Sequence, residues 1–190
     1  MQKNGKLTVR CLVEGAVCVA LATILGLLRI WKMPWGGSVT LNMLPIFIFA
    51  IRWGAGPGLL AGFVMGLLDF ILGGDYIIGW QSIIGDYLMA YTFCGLAGVF
   101  KGKSWGIFAG SVLGAFGRWV VAWFMGATLW AEYMPDEFLG MTMTNPWIYS
   151  AIYNALYIVL SLVLILVVCA VAYKPLKKYF LAQDIQKKAA

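Results

Sequence analysis

The chain has 190 residues, of which 62% are hydrophobic and 12% are charged. About a quarter of the residues of a typical soluble domain are charged, so this composition excludes an ordinary soluble domain and predicts an integral membrane protein. The net charge of +6 comes mostly from connections and tails. We interpret that excess as an orientation signal rather than as a nucleic-acid-binding surface.

The chemistry-bearing residue types argue against an enzyme. The sequence has no histidine, and its four cysteines lie in or beside apolar segments without the paired spacing of a metal site. It also lacks the phosphate-binding pattern GxxxxGK[ST], the helical HExxH pattern, and a nucleophile with a base beside it. We therefore expect no catalytic activity, no metal and no cofactor bound by this chain.

Apolar segments predict an all-α membrane protein with six transmembrane helices in a single domain. The first segment leads out of the N-terminus without a small-residue cleavage site, so we expect it to be retained. Asn145 followed by Pro146 is typical of a helix N-cap with proline at the first helical position. The approximate helix ranges are 7–30, 41–51, 58–72, 76–100, 105–130 and 146–173, followed by a short basic tail at 174–190.

Charge placement predicts how the chain lies in the membrane. Six spans bring both termini to one side, and that side receives most of the lysines and arginines, whereas the other side receives only Arg29 and Lys32. By the positive-inside rule, the termini are cytoplasmic. The linker 31–40, which contains Pro34 and two tryptophans, and the acidic loop 131–144 then lie on the outer face; the linker is either an interfacial anchor or a lid.

Asp86 is the one formal charge of the fourth segment. An ionisable group inside a span costs about 2.5–3.5 kcal/mol on insertion scales unless it faces a cavity, a partner or a ligand. Its neighbours supply aromatic rings and hydrogen-bonding groups, the mixture expected around a small aromatic cation: Tyr76, Trp80, Gln81, Ser82 and Tyr87. The alternative is an ion pair with Arg118, the basic residue of the fifth segment, in a membrane assembly protein.

The sixth segment begins with an aromatic stripe. Tyr149, Tyr153 and Tyr157 repeat every four residues and share a helical face, with Asn154 beside them. Such a stripe is compatible with packing or with a ligand platform. The Asn154 amide needs partners in an apolar environment, and two uses remain open: ligand contact or a hydrogen bond between helices.

Four stretches carry a resemblance to a known family: MPWGGSVTLNMLPIF (33–47), RWGAGPGLLAG (52–62), GGDYIIGWQSIIGDYLMAYTFCGLAGVFKGK (73–103) and YSAIYN (149–154). In these the chain resembles the thiamine-specific substrate-binding (S) components of energy-coupling factor (ECF) vitamin transporters. The resemblance implies a six-helix bundle in the bacterial plasma membrane that binds thiamine near its outer face. It also implies an ECF transmembrane partner subunit and two cytoplasmic ATPase subunits that use ATP to drive uptake.

The resemblance also assigns residues. Asp86 matches the family's acidic position, usually glutamate, which faces the cationic ligand. Positions that stack on or hydrogen-bond the ligand rings are matched by Tyr76, Tyr87, Trp130, Tyr149 and Asn154, and Trp35 lies within a residue of the loop tryptophan. Ala16 and Ala20 match the alanine pair of the first helix, which packs on the membrane partner.

Two departures bear on the ligand. Ala122, next to Trp123, stands where well-known members have a ligand-contacting histidine, and Asp86 is one methylene shorter than glutamate. Either the pocket takes a thiamine relative, a precursor or another vitamin, or Trp123 and a water compensate. Trp123 therefore joins the candidate site.

Overall fold

The computed structural model describes residues 8–34, 36–73 and 76–186. It contains six principal helices: α1 Val9–Leu27, α2 Met43–Trp53, α3 Ala55–Gly73, α4 Trp80–Phe100, α5 Gly106–Thr128 and α6 Pro146–Phe180, followed by the short α7, Gln183–Gln186. All of these except α2 and α7 are long and apolar enough to cross a membrane. The expected all-α membrane fold is confirmed.

Two short hairpins lie between the helices. In the first, β1 (Trp31–Lys32) pairs antiparallel with β2 (Ser38–Val39), and in the second β3 (Glu137–Phe138) pairs with β4 (Met141–Thr142). The β1–β2 turn contains Gly37 with φ +77°, a backbone conformation that glycine adopts most readily. A Cβ at this position would also run into the Tyr157 ring. The linker is therefore a hairpin packed on α6.

Glycines bring α3 and α4 into close contact. Gly62 and Gly66 lie one turn apart on α3, and an added Cβ at either would collide with the backbone of Tyr91 or Tyr87. This close approach fixes the position of the α4 segment that carries Asp86.

The α4 segment that carries Asp86, Ile83–Met89, is a π-helix, in which the Ala90 N–H bonds the Gly85 carbonyl five residues back. Short π-helical stretches often mark functional sites.

The C-terminal boundary differs from the sequence-based prediction. The last helix does not end at Tyr173 but continues through Pro175 to Phe180, and α7 follows after a turn. Phe180 and Ala182 are buried, so apolar contact holds this segment against the bundle. The predicted basic tail is therefore folded at least as far as Gln186.

An ionic cluster ties the chain's two ends together. This terminal cluster comprises Arg10, Glu14, Arg52, Trp53 and Asp184. Arg52 Nη2 lies 3.0 Å from Glu14 Oε2, Arg52 Nη1 lies 3.1 Å from Asp184 Oδ1, and Trp53 donates its indole N–H to Glu14 at 2.9 Å. Arg10 bonds both Glu14 and Asp184. The cluster thus joins α1, α2 and α7 at one end of the bundle.

Candidate ligand site

A cavity of about 180 Å³ lies at the end of the bundle opposite the terminal cluster. Five of the principal helices contribute to its wall, namely α1, α3, α4, α5 and α6, together with Asn42 at the start of α2 and the β1–β2 hairpin. Tyr153 donates its hydroxyl to the Gly36 carbonyl at 2.8 Å, and the Phe138 ring packs on Tyr149 and Tyr153 with centroids 5.4 and 5.6 Å away. Both hairpins are therefore held by α6, and the β1–β2 hairpin forms part of the cavity wall.

Asp86 lines this cavity. Its Oδ2 accepts a hydrogen bond from the Trp130 indole Nε1 at 2.9 Å, which is the one hydrogen bond of this carboxylate among the described residues. Trp130 is placed by the continuation of α5, because its N–H reaches the Met125 carbonyl at 3.4 Å. An indole N–H is neutral, so it orients the carboxylate without balancing its charge.

The segment before α4 is fastened to the hairpin by two tyrosines. Tyr87 donates its hydroxyl to the Tyr76 carbonyl at 3.3 Å, and Tyr76 donates to the Pro34 carbonyl at 3.3 Å. Both side chains line the cavity. They therefore place aromatic rings beside Asp86.

The tyrosine stripe of α6 forms a second aromatic wall. Tyr149, Tyr153 and Tyr157 are buried, with ring centroids 5.4 and 6.4 Å apart along the stripe. Asn154 Nδ2 donates to the Ala122 carbonyl of α5 at 3.2 Å, and its Oδ1 accepts from Tyr157 at 2.9 Å. Asn154 thus makes the hydrogen bond between helices, and it lines the cavity as well.

Trp123 lies outside the cavity lining, contrary to its inclusion in the candidate site. Its indole N–H donates to the Trp147 carbonyl at 2.9 Å, and its ring stacks on Trp119 at 5.5 Å. Adjacent helical residues point about 100° apart, so only Ala122 of this pair faces the cavity. Trp123 is therefore not positioned to replace a histidine there. Trp35 lies outside the described residues.

The alternative ion pair between Asp86 and Arg118 is not formed within the described part of the chain. Arg118 Nη2 instead donates to the Tyr91 hydroxyl at 3.2 Å, and the guanidinium lies 4.2 Å from the Tyr91 ring centroid. Sequence reasoning considered Arg118 only as a partner of Asp86 and missed its place in the cavity wall. A second charge inside a span is itself a signal of function, and it was available in the sequence.

The two alanines predicted to dock a partner lie on a separate surface. Ala16 and Ala20 are exposed and line an apolar groove of about 380 Å³ between α1 and α3. Phe49 closes the base of the groove. An exposed pair of small residues one turn apart leaves room for another helix to approach closely.

Comparison with known proteins decides the family. Residues 12–181 match the family described as "Thiamine transporter protein (Thia_YuaJ)". The chain belongs to this thiamine transporter family. The protein named thiamine transporter ThiT from Lacticaseibacillus paracasei is 32% identical over an alignment of 203 positions, which covers 97% of this chain and 96% of that protein.

A second relative and a solved structure extend the comparison. ThiT from Bacillus subtilis is 30% identical over 158 positions, covering 73% of this chain and 77% of that protein. A solved structure of ThiT from Listeria monocytogenes superposes with a TM-score of 0.80 at 22% identity, covering 90% of this chain and 97% of that one. The likeness in structure supports the shared fold, and the sequence relatives of this thiamine transporter family are named as transporters, not enzymes. The expected family, membrane class and non-enzymatic nature are thus confirmed.

Proposed function

We propose that the chain binds thiamine in the cavity beside Asp86 and mediates its uptake as the S component of an ECF-type importer. The observation that carries this proposal is a carboxylate in a cavity within the membrane-spanning region, hydrogen-bonded by a neutral indole and surrounded by tyrosines. Thiamine combines a permanent cation with two aromatic rings. The carboxylate of this site suits the cation, and the tyrosines suit the rings.

The direct test is calorimetry of thiamine binding to the detergent-purified chain. Asp86→Asn keeps the side-chain shape and the Trp130 contact but removes the charge, so we expect thiamine affinity to fall about 100-fold. Asp136→Asn is the matched control, because Asp136 is an exposed carboxylate of the outer loop. Equal affinities for Asp86→Asn and the unmodified chain would refute charge recognition by Asp86.

We assign the groove beside Ala16 and Ala20 to the ECF transmembrane subunit, which would couple the chain to two cytoplasmic ATPases. Support comes from the exposure of both alanines and from the apolar wall around them. Ala20→Trp fills the groove, so we expect thiamine uptake by cells to be lost while thiamine binding by the purified chain is kept. Val17→Trp, at an exposed α1 position outside the groove lining, is the control and should transport normally.

The proposed orientation places both termini in the cytoplasm. Basic residues at the terminal-cluster end support it, including Arg10, Lys101 and Lys103. We expect a cysteine introduced at Glu132 to react with a membrane-impermeant maleimide in intact cells, and one introduced at Lys103 to react only after lysis. The reverse pattern would invert the topology.

Ala122 supports a second candidate, an S component for a thiamine relative or precursor. It lines the cavity with a methyl group, so the cavity has no imidazole at this position. Quenching of tryptophan fluorescence by thiamine, its pyrimidine precursor and other vitamins separates the candidates. Tightest binding of the precursor would favour the second.

A further inference from the structure

Two opposite charges share the cavity without pairing with each other. Asp86 and Arg118 both line it, and so does Tyr157. The carboxylate accepts from Trp130, whereas the guanidinium donates to Tyr91. Each charge is costly to hold in a span, so their separation calls for an explanation beyond mutual neutralisation.

Arg118 is held firmly from one side. Its guanidinium lies 4.2 Å from the Tyr91 ring centroid and donates through Nη2 to the Tyr91 hydroxyl at 3.2 Å. The same hydroxyl accepts from Asn42 Nδ2 at 2.8 Å, and Asn42 is itself buried. Tyr91 and Asn42 therefore fix the orientation of the guanidinium, which reduces the entropy lost when it binds a further group.

The rest of the guanidinium faces the cavity. A guanidinium has five N–H donors, and Arg118 makes one hydrogen bond among the described residues. The side chain is only partly buried and contributes to the cavity wall, as does Asp69. Donors thus remain for a group that enters the cavity.

We propose that Arg118 is a ligand-contacting residue that donates hydrogen bonds to an acceptor on the same solute whose cation lies at Asp86. This inference rests on the proposed function and refines its ligand class. Tyr91, which holds Arg118, is five residues beyond Asp86 on α4, about one turn further along the helix. The preferred solute is therefore an aromatic cation with a hydrogen-bond acceptor at a comparable distance from its charge.

Thiamine carries acceptors on both sides of its cation, the hydroxyl oxygen and the pyrimidine nitrogens. Calorimetry with three ligands distinguishes them: thiamine, an analogue with an ethyl tail in place of hydroxyethyl, and a benzyl thiazolium alcohol in which phenyl replaces the aminopyrimidine. Arg118→Lys keeps the charge but removes the planar donor fork. We expect it to weaken thiamine binding about 30-fold, and to have almost no effect on whichever analogue lacks the contacted acceptor.

Two further variants separate contact from structure. Tyr91→Phe removes the hydroxyl that orients Arg118 but keeps the ring, and we expect a smaller loss, about 5-fold, with the same ligand dependence. Ser111→Ala is the control on α5, because this buried hydroxyl bonds the Ile107 carbonyl of its own helix and does not line the cavity. It should bind all three ligands as the unmodified chain does.

The outcomes are distinct. Equal losses for all three ligands in Arg118→Lys would mean that Arg118 acts structurally, and would overturn the inference. Unchanged thiamine affinity in that variant would also overturn it, while the proposed function would stand. Failure of the unmodified chain to bind thiamine would refute the proposed function and this refinement together.

Discussion

Charged side chains lie at both ends of the bundle, but their partners differ. In the terminal cluster, Glu14 and Asp184 are matched by Arg10 and Arg52 in direct ion pairs. In the cavity, Asp86 accepts a hydrogen bond from a neutral indole. The comparison shows that the role of an acidic residue in a membrane protein depends on which group it pairs with. Paired carboxylates hold the fold together, whereas a carboxylate left with a neutral donor in a cavity is available to a cation.

The largest effect is expected from a substitution that breaks the terminal cluster. The Arg52 side chain is 1% exposed, stacks 3.5 Å from the Tyr179 ring centroid and pairs with Glu14 and Asp184. Arg52→Met leaves two carboxylates with less compensation, so we expect a loss of about 3 kcal/mol in stability, seen as a lower Tm in detergent. Lys103→Met, at an exposed cation on the same end, should leave the Tm unchanged.

Thiamine affinity is a second readout for Arg52→Met. The fraction of this variant that remains folded should bind thiamine with normal affinity. An undiminished Tm would show that the terminal cluster does not stabilise the fold. Weakened binding with an unchanged Tm would reverse the roles assigned to the two ends.

A smaller effect on thiamine affinity distinguishes the roles of two tryptophans near the cavity. Trp130→Phe removes the indole that orients Asp86, and we expect thiamine affinity to fall about 10-fold. Trp123→Phe removes the bond to the Trp147 carbonyl outside the cavity, so affinity should change less than about 2-fold. Calorimetry on both variants checks this. A larger loss for Trp123 would return it to the site.

The smallest effect concerns Asp184. Its side chain is 38% exposed, so solvent screens its pairs with Arg10 and Arg52. We expect Asp184→Asn to reduce stability by less than about 1 kcal/mol and to leave thiamine affinity unchanged. Tm measurements beside Arg52→Met provide the check. A loss as large as that of Arg52→Met would make Asp184 the dominant partner.

The sequence predicted a helix end correctly where neighbouring residues determine it. Asn145 caps α6 as expected, with its Oδ1 accepting from the Trp147 N–H at 2.9 Å and Pro146 in the first turn. The end of α6 was wrong by about two turns, because burial of Phe180 and the ion pairs of Asp184 hold the chain beyond Tyr173. Such contacts join residues far apart in sequence, and no local pattern encodes them.

The same distinction applies to the site. The position of Asp86 in a span indicated a site, since charge there is unusual, and the tyrosine stripe followed from helical periodicity. The partners of Asp86 and Arg118 did not follow, because they depend on how α4 and α5 pack. The placement of Trp123 outside the cavity did not follow either, since the rotation of α5 decides whether Trp123 or Ala122 faces the cavity.

A structure of the chain with thiamine bound tests the central claim most directly. We predict that the thiazolium ring lies within about 4 Å of the Asp86 carboxylate, between the α6 tyrosines and Trp130. A structure in which Asp86 is bonded to Arg118, with thiamine bound elsewhere or not at all, would contradict the account.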